Sequence, residues 1–148
     1  MSSSDHPESG LEFLRRLAAV SSDDDVTFGR LLGMRLVAVD CGRVEFRLTT
    51  RPEFANPLET LHGGVVASML DSALGCAVHS TLGIGDWYTS LELKVNFTRS
   101  PRLDGQALRA SGAVVHIGRT SATAEGRVHD DDDKLVAHGT TTCLVRRA

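Results

Sequence analysis

Lysine is nearly absent from this chain. Only Lys94 and Lys134 occur, so the positive charge is carried almost wholly by arginine, a side chain suited to bidentate phosphate contacts. Sixteen basic residues against nineteen acidic ones leave a net charge of −3, which offers no attraction to nucleic acid or to an anionic membrane. Cys41, Cys76 and Cys143 are far apart, odd in number and without a CxxC pair. They read as isolated reduced thiols in a cytoplasmic protein, not as a disulfide framework or a metal site. No stretch approaches the roughly 20 apolar residues that span a bilayer. Met1 to Gly10 is polar and Ser-rich, without the apolar core of a secretion signal. What is there is ordinary for one soluble domain: 148 residues, 41% hydrophobic and 24% charged, enough to bury a real core.

Residues 1–24 read as a tail and a short helix, and 25–148 as a single domain. Leu11, Leu14, Leu17 and Ala18 recur at helical spacing and predict a helix over 10–20, broken by Ser21 to Asp25. Met34, Leu36 and Ala38 alternate with Arg35, Val37 and Val39. After Asp40-Cys41-Gly42, Val44, Phe46 and Leu48 alternate with charged and polar residues, so a hairpin is predicted. Arg51 to Thr60, with Pro52 and Pro57, is a loop. His62-Gly63-Gly64 then opens a run from Val65 to Leu82 that is apolar on almost every face. That predicts a helix buried all round, ended by Gly83-Ile84-Gly85. Four strand-like runs follow, over 90–97, 105–117, 120–129 and 134–146, separated by Gly118 and by Asp130 to Asp133. The acidic run reads as a solvated hairpin tip rather than a cation site, although with Lys134 it spells a protease-recognition sequence. The order is β-β-α-β-β-β-β, an α+β domain with an antiparallel sheet wrapped around one long helix. No internal repeat or second domain is visible.

Asp71 is the only formally charged residue between His62 and His79. A carboxylate in an apolar helix costs several kcal/mol unless something satisfies it. Either hydroxyls or an arginine hold it as a structural group, or it serves chemistry, and Ser68, Ser72 and Gly75 leave room for a ligand beside it. Gly63 and Gly64 at the helix start offer free amides and the positive end of the helix, which suit an oxyanion. Alternatively they permit a tight junction. Eight positions separate Gly63 from Asp71, roughly 12 Å along one helix. A catalytic carboxylate must lie within a hydrogen bond, or one water, of the atom it serves. If both residues are catalytic, the site must therefore combine Gly63 of one subunit with Asp71 of another, across a two-fold axis.

Asn56-Pro57-Leu58-Glu59-Thr60-Leu61-His62-Gly63-Gly64, followed by Asp71, resembles the hotdog-fold thioesterases of the phenylacetate-pathway type, whose superfamily includes 4-hydroxybenzoyl-CoA thioesterases. The resemblance runs from about residue 28 to 146. It implies a hotdog fold and hydrolysis of an acyl-CoA thioester by a homodimer, with dimers pairing into a dimer of dimers, and no metal or redox cofactor. The Gly63 amide would bind the thioester oxygen, with Gly64 beside it and Asn56 polarising or placing that group. Asp71 would activate water or attack as nucleophile; its reach, shorter than that of the Glu some relatives carry, favours water. Ser90 falls where relatives keep a hydroxyl that holds the water, an ordinary strand hydroxyl being the alternative. His62 would position the loop or meet the leaving thiolate, a helix cap being the alternative. Arg99, Ser100, Arg119 and Thr120 match the regions where relatives contact coenzyme A. A tyrosine motif with an early Asp, typical of another hotdog thioesterase branch, is absent, as is the His-plus-Glu pattern of hotdog dehydratases. A non-catalytic acyl-CoA-binding module and, less favoured, a hydratase or dehydratase are the competing functions. The acyl group is left open.

Overall fold

The computed structural model describes residues 7–20 and 27–148. The predicted break at Ser21 to Asp25 lies outside the described residues. Helix α1 (Gly10–Ala19) starts at a capping box: the Ser9 Oγ accepts from the Glu12 N–H, while the Glu12 carboxylate accepts from the Ser9 N–H. Its Leu14 is buried in the common core. A second helix that the sequence reading omits, α2 (Phe28–Leu32), has Thr27 as N-cap and ends at Gly33, whose left-handed backbone closes it. Five residues are too few to register as a helical period.

Strands β1 (Arg35–Asp40) and β2 (Arg43–Thr49) form the predicted hairpin. The expected alternation in β1 does not survive. A bulge between Leu36 and Ala38 lets two residues face one on β2, so Leu36 and Val39 turn toward the core while Ala38 is exposed. After the loop comes α3 (Gly63–His79), followed by β3 (Trp87–Phe97), β4 (Ala107–Ile117), β5 (Ser121–Asp130) and β6 (Leu135–Arg146). All six strands form one antiparallel sheet in the order β1-β2-β4-β5-β6-β3. Strand β3 is thus an edge, paired only with β6. At the β5–β6 tip, the Asp130 Oδ1 accepts from the Asp132 and Lys134 amides. Asp131 accepts from Gln106, and Asp133 from Arg109. The acidic run is a hairpin tip, as expected.

Met69, Leu70, Ala73, Leu74, Ala77 and Val78 of α3 are wholly buried against the sheet. Each large one contributes about 1.5–3 kcal/mol on leaving water. Gly112 permits this approach, since a Cβ there would sit 2.3 Å from the Ala73 carbonyl oxygen. Two expectations fail. The helix ends at His79, before Gly83: the Ser80 and Thr81 hydroxyls donate to the Ala77 and Val78 carbonyls and turn the chain away. Nor is α3 buried all round, because Gly64 and Asp71 are exposed and Ala67, Ser68 and Ser72 half-buried beside them. One stripe of small and polar residues stays open because the sheet stops at β3. Among the described residues no helix is long and apolar enough to cross a membrane.

Candidate active site

Asp71 lies on the open stripe of α3, at the level of β3. Its Oδ1 accepts from the Ser90 hydroxyl at 3.3 Å, and no cationic side chain among the described residues pairs with it. Of the two structural alternatives, an arginine does not hold the acid, whereas a hydroxyl, that of Ser90, does reach it. Asp71 is also not desolvated within one chain, contrary to the buried helix expected. Ser90 is brought to Asp71 by the packing of β3 on α3, and a bulge at Leu91 re-aims the strand just there.

The helix start is built by its loop. Asn56 spends its side chain locally: Oδ1 accepts from the Leu58 and Thr60 amides, and Nδ2 donates to the Thr60 hydroxyl. Asn56 therefore shapes the turn that delivers residues 60–64, with one amide hydrogen left over. His62 caps α3, its Nδ1 accepting from the Gly64 N–H at 2.8 Å, which keeps the ring proton of the neutral form on Nε2. Gly64 is thereby committed to the cap. Val65 donates back to the His62 carbonyl, and the Gly63 N–H has no acceptor among the described residues. A free amide on the positive end of a helix is an anion-binding group. The Phe97 ring packs beside Gly63, 3.1 Å from where a Cβ would stand.

Gly63 opens into a cleft of about 390 Å³ whose walls include Val66, Phe97, Arg99 and Ser100. The Arg99 guanidinium makes no ion pair among the described residues. Two of the four residues expected to contact the nucleotide and pantetheine are thus brought to the predicted oxyanion amide. Arg119 and Thr120 are not. They form the β4–β5 turn, where the Thr120 carbonyl accepts from Val145, the β6 partner of Tyr88 at the start of β3. Arg99 follows the other end of that strand. Eleven residues at about 3.3 Å each put the two arginines some 35 Å apart in one chain. Helix and strand run in opposite directions: Gly63 packs on Phe97, Asp71 on Ser90, and Gly75 on Tyr88.

The cysteines near Asp71 supply no nucleophile. Burial, with Asp71 adding to it, pushes the Cys76 thiol up to about 12, and burial raises Cys143 as well, so both stay protonated at neutral pH. Sequence reasoning missed Phe97 and Tyr88. Phe97 read as one more apolar member of an alternating strand, and Tyr88 preceded the predicted strand.

The model of the Thioesterase superfamily matches residues 58–137, more than half of the chain. The medium/long-chain acyl-CoA thioesterase YigI of Escherichia coli K12 is 28% identical over 131 residues, covering 80% of this chain and 84% of that protein. Among solved structures, a conserved protein of Pseudomonas aeruginosa superposes with a TM-score of 0.76 at 32% identity, covering 82% of this chain and 95% of that one. A phenylacetic acid degradation-related protein of Ralstonia eutropha JMP134 gives 0.78 at 29%, covering 89% and 98%. The sheet, its strand order and the single long helix are those of the hotdog fold that the Asn56–Asp71 motif implied, and the chain belongs to the thioesterase superfamily.

Proposed function

We propose that this protein hydrolyses an acyl-CoA thioester at a site shared between two copies of the chain. The observation that carries the reading is the separation of two half-sites along β3. One half holds Asp71 with Ser90; the other holds the free Gly63 amide with Phe97, Arg99 and Ser100. The free edge of β3 and the small-residue stripe of α3 supply a self-complementary face. If two β3 strands pair antiparallel about a point between Leu93 and Lys94, Ser90 comes opposite the partner's Phe97. Asp71 then meets the partner's Gly63, and the turn bearing Arg119 comes to the partner's Arg99. Covering the stripe also desolvates Asp71, which a single chain does not. YigI, a relative of similar length, is named for acyl-CoA hydrolysis, which agrees with this reading.

In this site the thioester carbonyl oxygen accepts from the Gly63 N–H of one subunit, whose helix end stabilises the charge that grows there. Asp71 of the other subunit takes a proton from a water as the water oxygen bonds to the carbonyl carbon. The tetrahedral intermediate collapses, the C–S bond breaks, and the thiolate leaves with the proton returned from Asp71. The products are a free acid and coenzyme A. Ser90 steadies the Asp71 carboxylate, His62 keeps the first turn in shape, and Arg99 with Ser100 receives the phosphate-bearing end. A panel of acyl-CoA esters with thiol detection tests the reading. The native protein releases thiol, and Asp71→Asn lowers kcat/KM by about 10²–10⁴-fold while the fold is retained. Turnover undiminished in Asp71→Asn removes the acid from the mechanism, and binding of acyl-CoA without turnover makes the protein a binding module.

A further inference from the structure

The side of the sheet that faces away from α3 takes no part in the proposed site. Its outward side chains stand in registered rows. Glu45, Ser111 and Arg127 are cross-strand neighbours in one row, and Arg43, Ala113 and Glu125 in the next. Each row is small in the middle and oppositely charged at its ends, and the second inverts the signs of the first. Ser111 and Ala113 have so little volume that the middle sinks into a trough of about 300 Å³, bordered by these four charges with Asp40 at its rim. Within one chain the charges are poorly used. Arg43 makes no ion pair among the described residues. Arg127 reaches Glu125 only at 3.9 Å, with both side chains more than half exposed. Glu45 alone has a close partner, Arg47 at 3.0 Å. Exposed pairs of this kind contribute little.

We infer that this face docks on the same face of a second copy of the chain. Between the two rows runs a third, Val44–Gly112–Gly126–Gly139–Val95, whose members point inward or have no side chain. A two-fold axis laid along it, across the strands, brings Glu45 over the partner's Arg43, Arg127 over the partner's Glu125 and Ser111 over the partner's Ala113. Symmetry repeats each contact, so four oppositely charged pairs ring the joined troughs. The small residues let the two backbones approach where the charges leave off. From β1 to β6 are four strand spacings. With strands of about ten residues, that gives on the order of 600 Å² per copy, near the roughly 800 Å² per partner of a stable interface. The row also ends in the right place. Val95 lies on β3 about 5 Å from the point between Leu93 and Lys94 about which β3 pairs in the proposed dimer. One axis stands on the sheet and the other lies along it, so they meet near right angles and close four chains instead of building a fibre. The inference goes beyond the thioesterase reading, does not depend on catalysis, and assigns a face to the pairing of dimers expected from the motif.

The test is the assembly mass from sedimentation velocity. It compares the native protein with an acidic-faced variant (Arg43→Glu with Arg127→Glu) and a basic-faced one (Glu45→Arg with Glu125→Arg). The native protein is expected at four chains. Each variant sets like charges against themselves, raises the dissociation constant of this interface at least about 100-fold and is expected at two chains. Mixed in equal amounts the two variants regain four, since each face then meets its complement. Ser111→Tyr puts a strand-favouring residue on an exposed position. It fills the trough without changing the charge and also halves the mass, which keeps the test decisive if the reversed charges impair folding. Variants that keep the native mass, or a mixture that stays at two chains, overturn the inference. A native mass of two chains that falls to one in the variants and returns to two in their mixture upholds this face, and overturns the β3 pairing with its shared site instead.

Discussion

The two faces of α3 obey opposite rules. On one, Met69, Leu70, Leu74 and Val78 fill the space above the sheet and leave no exposed surface. On the other, Gly64, Ala67, Ser68, Asp71 and Ser72 fill almost none. The first face carries volume and the second lacks it, which suits the shared site proposed above. The single acid of the helix stands on the face without bulk.

The largest effect is expected from breaking the second face across subunits. Asp71→Ala removes the acid. Gly63→Pro removes the amide hydrogen at a first-turn position where proline fits a helix. Each pure variant is expected to lose about 10²–10⁴-fold in activity. Co-assembled in equal amounts they regain about a quarter of native activity, since half the dimers are mixed and each mixed dimer holds one intact site. No recovery would confine the chemistry to a single chain. On the packed face, Leu70→Ala is expected to cost about 2–5 kcal/mol in denaturant unfolding, against no more than about 0.5 kcal/mol for Ser72→Ala. Equal costs would erase the distinction between the faces.

Smaller effects sharpen the picture. Ser90→Ala takes from Asp71 its hydroxyl donor, so kcat/KM falls roughly 2- to 12-fold with stability nearly unchanged; a loss as large as that of Asp71→Asn would give Ser90 a direct part in the chemistry. The smallest concerns His79. Burial holds its imidazole below the ordinary 6.5, so the unfolded chain binds the proton more readily than the folded one. Its contribution is complete above pH 6.5 and is lost as pH falls from there through the depressed folded value. The melting temperature is expected to drop between pH 7.5 and 5.5, and His79→Gln to flatten that slope. An unchanged slope would assign the acid sensitivity to other groups.

The fold was legible because β2 and β5 bury alternate residues throughout, and β4 and β6 over most of their length, as the pattern of Val44, Phe46 and Leu48 already indicates. It failed where one residue shifts the phase: the bulge in β1 moves Val39 inward and Ala38 out, and no local composition announces a bulge. The open stripe of α3 was hidden because Ala and Gly count as apolar in any periodicity while needing no partner. Of the candidate site, Asp71, Gly63 and Ser90 were readable as chemistry out of place or as motif. Asn56 was readable by type, but its engagement with Thr60 depends on how the loop closes. Tyr88 and Phe97 carried no signal, since each is placed by the glycine of α3 that it packs against, Gly75 and Gly63.

The closed tip after β5 also governs how this protein meets proteases. Asp130 to Lys134 carries the letters of a processing site, yet the Lys134 amide is tied to the Asp130 carboxylate and its carbonyl to the Asp130 amide. A processing enzyme must draw such a string out straight before cutting it. Scission after Lys134 would therefore clock how often the β5–β6 tip opens, and a flexible tag bearing the same letters would be cut faster than the native copy.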